Sequence, residues 1–504
     1  MTEKYIDKII KARVYDVAKE SALDRANLLS RRMGCSIYLK REDLQQVFSF
    51  KLRGAYNKIV QLSDAALKCG VIAASAGNHA QGVALAAAKL GIAATIVMPV
   101  TTPSIKVESV RHHGAHIVLH GDAYDDAYAH ALILAEEQKL TFIHPFDDPD
   151  VIAGQGTVAM EILHQFTDDI HAIFVPVGGG GLIAGMSAYI KHVRPEIKVI
   201  GVEPEDAPTM QQSLLNDERV LLDQVGIFAD GVAVRQVGQE NFRIARTCVD
   251  DMVLVTTDEI CAAIKDIFDD TRSVMEPAGA LAVAGMKKYI KQHSLSDKNL
   301  IAINSGANMN FDRLRHVAER AELGEQREAL LAVTIPEKAG SFRQFCQAIA
   351  HRGITEFNYR YADDNDAHIF AGIQLRHGIE EKKELLLQLH EIGYPVLDMT
   401  DNEMAKIHIR YMVGGHSKNV TNELVYRFQF PERPGALLGF LTHMGEDWNI
   451  SMFHYRNHGA DYGRVLVGIQ VPEDERDRFD QFLLQLGYEY WQEQNNQAYS
   501  LFLG

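Results

Sequence analysis

The 504 residues exceed one ordinary domain, and length alone favours about three. Apolar residues make up 47% and charged residues 23%, which leaves ample material for buried cores and no compositional sign of disorder. Asp and Glu (67) outnumber Lys and Arg (51), and the net charge of −16 argues against nucleic-acid and anionic-membrane partners.

The N-terminal stretch MTEKYIDKIIKARVYDVAKE is charged throughout and has no apolar core, unlike a signal peptide. No run reaches the roughly 18 apolar residues of a membrane span. The cysteines Cys35, Cys69, Cys248, Cys261 and Cys346 are odd in number and lack C-x-x-C spacing. Buried, reduced thiols in a cytoplasmic protein are expected, with no disulfide framework or zinc cluster.

From about Gly70 short apolar runs alternate with helical periodicity. Val71–Ala76, Ala94–Met98 and His116–Leu119 read as strands, and His79–Leu90, Ile105–His113 and Tyr124–Gln138 as helices. Ala172–Val177, Lys198–Val202 and Leu300–Asn304 continue the strands. This order predicts parallel βαβ units with helices on both faces, and it directs attention to the loops after the strands. The alternation ends near Arg320, and the polar stretch 321–329 is the candidate linker.

Beyond it the chain repeats. Pro336-Glu337-Lys338-Ala339-Gly340 returns as Pro431-Glu432-Arg433-Pro434-Gly435, an offset of 95 residues (336 to 431). Ile354 with Tyr359-Arg360 returns as Ile450 with Tyr455-Arg456, and Gly393-Tyr394 as Gly487-Tyr488, at offsets of 96 and 94. Such a period is too long for a solenoid repeat and suits a duplicated small domain. Each copy reads strand, helix, strand, strand, helix, strand, the ferredoxin-like order. The first copy's elements are Leu330–Ile335, Ser341–Ala350, Ile354–Tyr361, His368–Leu375, Glu380–Leu389 and Tyr394–Leu397. The Pro-x-x-x-Gly loops around Gly340 and Gly435 would leave N–H groups free at a helix N-terminus. They could hold a small carboxylate-bearing ligand, or serve as plain caps.

Four segments carry the chemistry. Ser49-Phe50-Lys51-Leu52-Arg53-Gly54-Ala55 offers a lysine. Ser75-Ala76-Gly77-Asn78-His79-Ala80-Gln81-Gly82 follows a strand and opens a helix, a setting that suits a carboxylate. Gly178-Gly179-Gly180-Gly181-Leu182 follows the strand Ala172–Val177 and exposes consecutive N–H groups, a cradle for a phosphate monoester. It has neither dinucleotide-binding spacing nor a following Lys-Ser/Thr pair. Ser305-Gly306-Ala307-Asn308 places a hydroxyl after a strand, where it could meet a ring nitrogen. An imine-forming lysine, a phosphate cradle and a partner for a pyridine nitrogen together fit pyridoxal phosphate.

With the further segments VIAGQGT (Val151–Thr157), VEPED and MEPAGALA, residues 1–320 resemble the fold-type II pyridoxal-phosphate enzymes. Essentially the whole chain resembles the biosynthetic threonine deaminases. The resemblance implies an α/β catalytic domain over 1–320, tryptophan-synthase-β-like, with two open parallel-sheet subdomains. It implies α+β ferredoxin-like (ACT-like) regulatory domains over 330–413 and 422–504. It further implies that Lys51 forms the Schiff base and shuttles the Cα proton, that Phe50 flanks the cofactor ring, and that Asn78 bonds its phenolic oxygen. Ser75, Ala76, Gly77 and His79 would surround the substrate carboxylate. Gly178, Gly179, Gly180, Gly181 and Leu182 would hold the phosphate, and Ser305 would face the pyridine nitrogen. Glu276 matches an acidic position near the ring, with no role assigned.

The expected reaction converts threonine, or serine, to a keto acid and ammonia by β-elimination, as the committed step of isoleucine synthesis. Isoleucine would inhibit and valine would oppose it, in a homo-oligomer, with a tetramer expected. Serine racemase shares most motifs, but its second catalytic serine falls at Ala76, with Ser75 one residue earlier. A sensor that has lost activity is the alternative of another class, and retention of Lys51, Asn78, the glycine loop and Ser305 argues against it. No metal is assigned. The acids Glu203, Glu205 and Asp206 could attract a cation or form a solvated loop.

Overall fold

Apolar runs of four to seven residues bounded by turn residues favour strands over helices. The computed structural model describes residues 3–336, 345, 347–349, 352, 354–360, 366–411, 421–431, 440, 448–456 and 462–503. The chain divides into two units, Met1–Ala321 and Glu322–Gly504.

The first unit contains β1 (Leu23–Arg25), β2 (Ser36–Arg41), β3 (Val71–Ala74), β4 (Ala94–Met98), β5 (His116–Leu119), β6 (Thr141–Phe142), β7 (Ala172–Pro176), β8 (Lys198–Pro204), β9 (Asp251–Val255) and β10 (Asn299–Asn304). They form two open sheets, β5-β4-β3-β6 and β1-β2-β10-β7-β8-β9. Every pairing is parallel except that of β1, a three-residue antiparallel edge. Its sequence, Leu-Asp-Arg, suits an edge that must stay soluble. The chain leaves β3, β7 and β10 directly into the three loops marked in the sequence. The carboxyl ends of parallel strands therefore gather those loops.

Lys51 has no strand before it and starts the helix Lys51–Ile59. That helix crosses the helix Pro149–Gln165 backbone to backbone. A Cβ on Gly154 would stand 2.7 Å from the Arg53 carbonyl oxygen and from Gly54 Cα. The helix is also pinned by charge. The fully buried Arg53 donates to Glu42 (2.8 Å to each oxygen), to Glu161 (2.6 and 3.0 Å) and to Thr157 Oγ1 (3.1 Å). Lys40, also buried, reaches Glu161 at 2.7 Å.

The second unit holds β11 (Glu328–Pro336), β12 (Ile354–Arg360), β13 (Asp366–Gln374), β14 (Val396–Asp398), β15 (Glu423–Pro431), β16 (Asn449–Arg456), β17 (Tyr462–Gln470) and β18 (Glu489–Gln492). They build two antiparallel sheets of identical order, β12-β13-β11-β14 and β16-β17-β15-β18. The duplication extends to irregularities, because the register shift at Ile354/Glu356 recurs at Ile450/Met452. Alternation along β11 sends Leu331, Val333 and Ile335 into the first copy's own core. Leu330 and Ala332 enter a cluster shared with Val425, Leu466 and Phe502 of the second copy. Asn402 and Asn496, at equivalent helix starts, meet through an Nδ2–Oδ1 bond of 3.1 Å.

Residues 321–329, read as a linker, include the end of the helix Arg313–Gly324 and the start of β11. Most of the expected helix 341–350 lies outside the described residues, as do the loops around Gly340 and Gly435 and the side chains of Phe357, Tyr359, Phe453 and Tyr455. Cysteine burial needs correction. Cys35, Cys248 and Cys261 are buried, but Cys69 is exposed because it ends a short surface helix, Asp64–Cys69, that buries nothing; Cys346 is outside the described residues.

Candidate active site

Phe50, Lys51, Asn78, Gly178 to Leu182 and Ser305 line one cleft, together with Phe146, Gly231, Val232, Glu276 and Ala278. Its space, about 450 Å³ counted to the open mouth, falls in the range of small-molecule sites. Residues from four separate segments thus converge, as the sequence requires for one shared ligand.

Lys51 Nζ donates to the Pro145 carbonyl at 3.0 Å and lies 5.4 Å from the centroid of the Phe50 ring. Burial pushes its pKa down to about 8, against the upward pull of the Glu276 carboxylate. The lysine is therefore available as a neutral amine near neutral to mildly alkaline pH. The Ser305 carbonyl accepts from Phe50 N at 3.3 Å, and Ser305 Oγ donates to Ala278 O at 3.3 Å.

The glycine loop leaves β7 and enters the helix Gly181–Val193. Gly180 has φ 92°, in the region that favours glycine. Side chains are excluded around it. A Cβ on Gly179 would fall into the Phe146 ring, and those on Gly178 and Gly181 would come within 2.9 Å of Val232 Cα and Phe146 O. What the loop offers a ligand is backbone N–H at the positive end of a helix, a fit for phosphate.

Asn78 opens the helix Asn78–Leu90. Its Nδ2 donates to Glu276 Oε1 at 2.6 Å, and its Oδ1 accepts from Asn308 Nδ2 at 2.6 Å. Glu276 is the residue the sequence left without a role. It caps the helix Pro277–Gln292 inside the cleft and is 5% exposed. Burial and the nearby Asp230 push its pKa up to about 7, while the Asn78 bond pulls it down. Asp230 itself, half-buried, is held well below the usual carboxylate range by Arg313 (3.2 Å) and Lys106 (2.7 Å). The available signal was an acid directly before Pro277, a helix-start pattern that marks a helix end and not a ligand site.

Ser75, Ala76 and Gly77 are half-buried before the Asn78 helix and are not among the cleft-lining residues. The His79 ring is buried. Its Nε2 donates to Ile143 O at 2.8 Å, and burial followed by the Lys51 charge lowers its pKa to about 3, so it is neutral. Glu203 is engaged at a helix start. Its two oxygens accept from Met210 N (2.7 Å) and Gln211 N (2.9 Å) and anchor the helix Thr209–Asn216. Among the described residues no group of three His, Cys, Asp or Glu could hold a metal ion.

Fold and cleft define a pyridoxal-phosphate-dependent enzyme, and a family described in those words matches residues 15–306. The C-terminal regulatory domain of threonine dehydratase matches twice, at 319–409 and 414–503. The L-threonine dehydratase biosynthetic IlvA of Burkholderia multivorans is 58% identical over 502 residues, 99% of each chain. That of Escherichia coli is 52% identical over 99% of this chain and 97% of its own. Among solved structures, the processed form of threonine deaminase isoform 2 from Solanum lycopersicum has TM-score 0.63 and 52% identity, covering 64% of this chain and 88% of that one. Maize serine racemase has TM-score 0.59 and 32% identity, covering 62% and 96%. The chain belongs to the family of biosynthetic threonine dehydratases.

Proposed function

We propose that the chain converts L-threonine to 2-oxobutanoate and ammonia, with L-serine as a second substrate. The observation that carries this is the convergence of Lys51, the glycine cradle and Ser305 on one cleft. Relatives named for threonine dehydration over the full chain length support the choice of substrate.

Gly178 to Leu182 would hold the phosphate of pyridoxal phosphate, Asn78 its phenolic oxygen, Phe50 its ring face and Ser305 its pyridine nitrogen. When bound, the cofactor supplies the electron sink for negative charge at the substrate Cα. A neutral serine hydroxyl does not protonate the ring nitrogen as an acid would, and this favours β-elimination over transamination. Lys51, as a neutral amine, removes the Cα proton. The β-hydroxyl then departs as water, with Lys51 returning the proton. Aminocrotonate is released and hydrolysed to 2-oxobutanoate and ammonia. The loop from Ser75 to Gly77 at the start of the Asn78 helix would receive the substrate carboxylate through backbone N–H groups.

The duplicated C-terminal domain is the proposed receptor for isoleucine, which inhibits, and valine, which opposes it. The enzyme would work as a cytoplasmic homotetramer. No helix among the described residues is long and apolar enough to cross a membrane. The test is a purified protein assayed for visible cofactor absorbance and for 2-oxobutanoate from threonine, beside Lys51→Ala. A coloured wild type that makes the keto acid, with an inactive variant, is expected. A coloured protein that leaves threonine intact would refute the substrate, and an activity curve unmoved by millimolar isoleucine would refute the regulation.

A further inference from the structure

Asn241 lies outside the cleft and belongs to none of the motifs read from the sequence. It sits in the first turn of the helix Gln239–Cys248 and is fully buried. Its Nδ2 donates to Gly179 O at 2.7 Å and to Phe146 O at 3.0 Å. The Gly179 carbonyl accepts a second bond from Gly238 N at 3.1 Å. The Asn241 Oδ1, by contrast, has no partner among the described residues. The amide is thus oriented wholly by the two carbonyls it serves, at the expense of its own oxygen.

The consequence follows from peptide geometry. In a trans peptide the C=O and the N–H point in opposite directions. Drawing the Gly179 carbonyl toward Asn241 and Gly238 turns the Gly180 N–H the other way, toward the cleft that Gly179 and Gly180 line. The second bond fixes Phe146, whose ring and carbonyl form the floor beneath Gly179 and Gly181. The helix carrying Asn241 is itself held to the same strap. Asp147, next to Phe146, accepts from Gln239 N (2.8 Å) and Glu240 N (3.0 Å). A glycine run has no conformational preference of its own, so some outside group must choose the peptide orientation.

We propose that Asn241 is a positioning residue for the phosphate cradle: by holding the Gly179 and Phe146 carbonyls it aims the Gly180 N–H at the phosphate of the cofactor. This rests on the assignment of the glycine loop to that phosphate. Asn241→Asp is the sharp perturbation, because it is nearly isosteric yet sets a carboxylate oxygen against two carbonyl oxygens. Repulsion then turns the Gly179 peptide and withdraws the donor.

The experiment titrates full-length apoenzyme with pyridoxal phosphate and, separately, with pyridoxal, the same ring without phosphate, following the visible band. The wild type should prefer the phosphorylated form by about 100-fold, and Asn241→Asp should lower that preference at least about tenfold while pyridoxal binding stays within about threefold. An unchanged preference in the variant overturns the role of Asn241 and leaves the cradle assignment standing. Equal loss for both ligands marks a merely structural residue and overturns the proposal. A wild type with no preference removes the cradle assignment and the proposal together. If circular dichroism shows that Asn241→Asp does not fold, Asn241→Ala carries the same comparison, with an expected drop of about three- to tenfold.

Discussion

Glu276→Gln should make the cofactor-free protein more stable as pH rises, while impairing the site. Glutamine keeps an Oε1 acceptor for Asn78 Nδ2, now 2.6 Å from the glutamate oxygen, and removes only the charge. The carboxyl is 5% exposed and its folded pKa is about 7, against 4.5 for the free side chain. A carboxyl raised on folding contributes stability that is full below the unfolded value and is lost as pH climbs through the folded one. About 2.5 pKa units at 1.36 kcal/mol each give about 3 kcal/mol lost by pH values above 7. The comparison runs between about pH 5 and about pH 7.5, a window that brackets the folded value of Glu276. Over that interval the variant should gain about 2 kcal/mol on the wild type. The assay is thermal or urea unfolding of both apoproteins at the two pH values. A gap that does not change with pH, or that shrinks as pH rises, refutes the reasoning.

Other perturbations address separate parts of the molecule. Gly179→Ala would drive a methyl into the Phe146 ring, and the cofactor dissociation constant should rise at least about tenfold; an unchanged constant would deny the loop its tight contact. Arg53→Met would leave Glu42 and Glu161 with Lys40 as the remaining buried cation described beside them, and should destabilise by about 3–5 kcal/mol. Its check is the urea midpoint at which the visible cofactor band is lost, compared with Arg315→Ala, an exposed arginine whose loss should leave that midpoint in place. Asn402→Ala and Asn496→Ala each remove a helix cap and should cost about 1 kcal/mol. Because the two side chains share a bond, the double variant should fall short of the sum by about 0.5 kcal/mol, and strict additivity would show that the contact carries no coupling.

The sequence by itself settled what depends on local pattern. Strands β3, β4, β5, β7, β8 and β10 are short apolar runs whose length and flanking turn residues favour strands. The glycine loop announces itself because only glycine permits φ 92° at residue 180 and the Phe146 ring against residue 179. The repeat of 94 to 96 residues announced the duplication within the second unit.

Tertiary structure decided what depends on which side chains meet. Glu276 and Asn78 bond across 198 residues of sequence, and Asn241 reaches Gly179 across 62. The fold bonds the His79 ring to Ile143 O across 64 residues. Glu203 stands in an acidic cluster, but the fold gives its oxygens to a helix end. In each case the residue type names the groups available, while burial and the partner at hydrogen-bond distance fix the charge, the direction and so the task. A lysine in a motif becomes a base only where the chain closes over it and lowers its pKa, and that closure is a property of the packed sheets and helices.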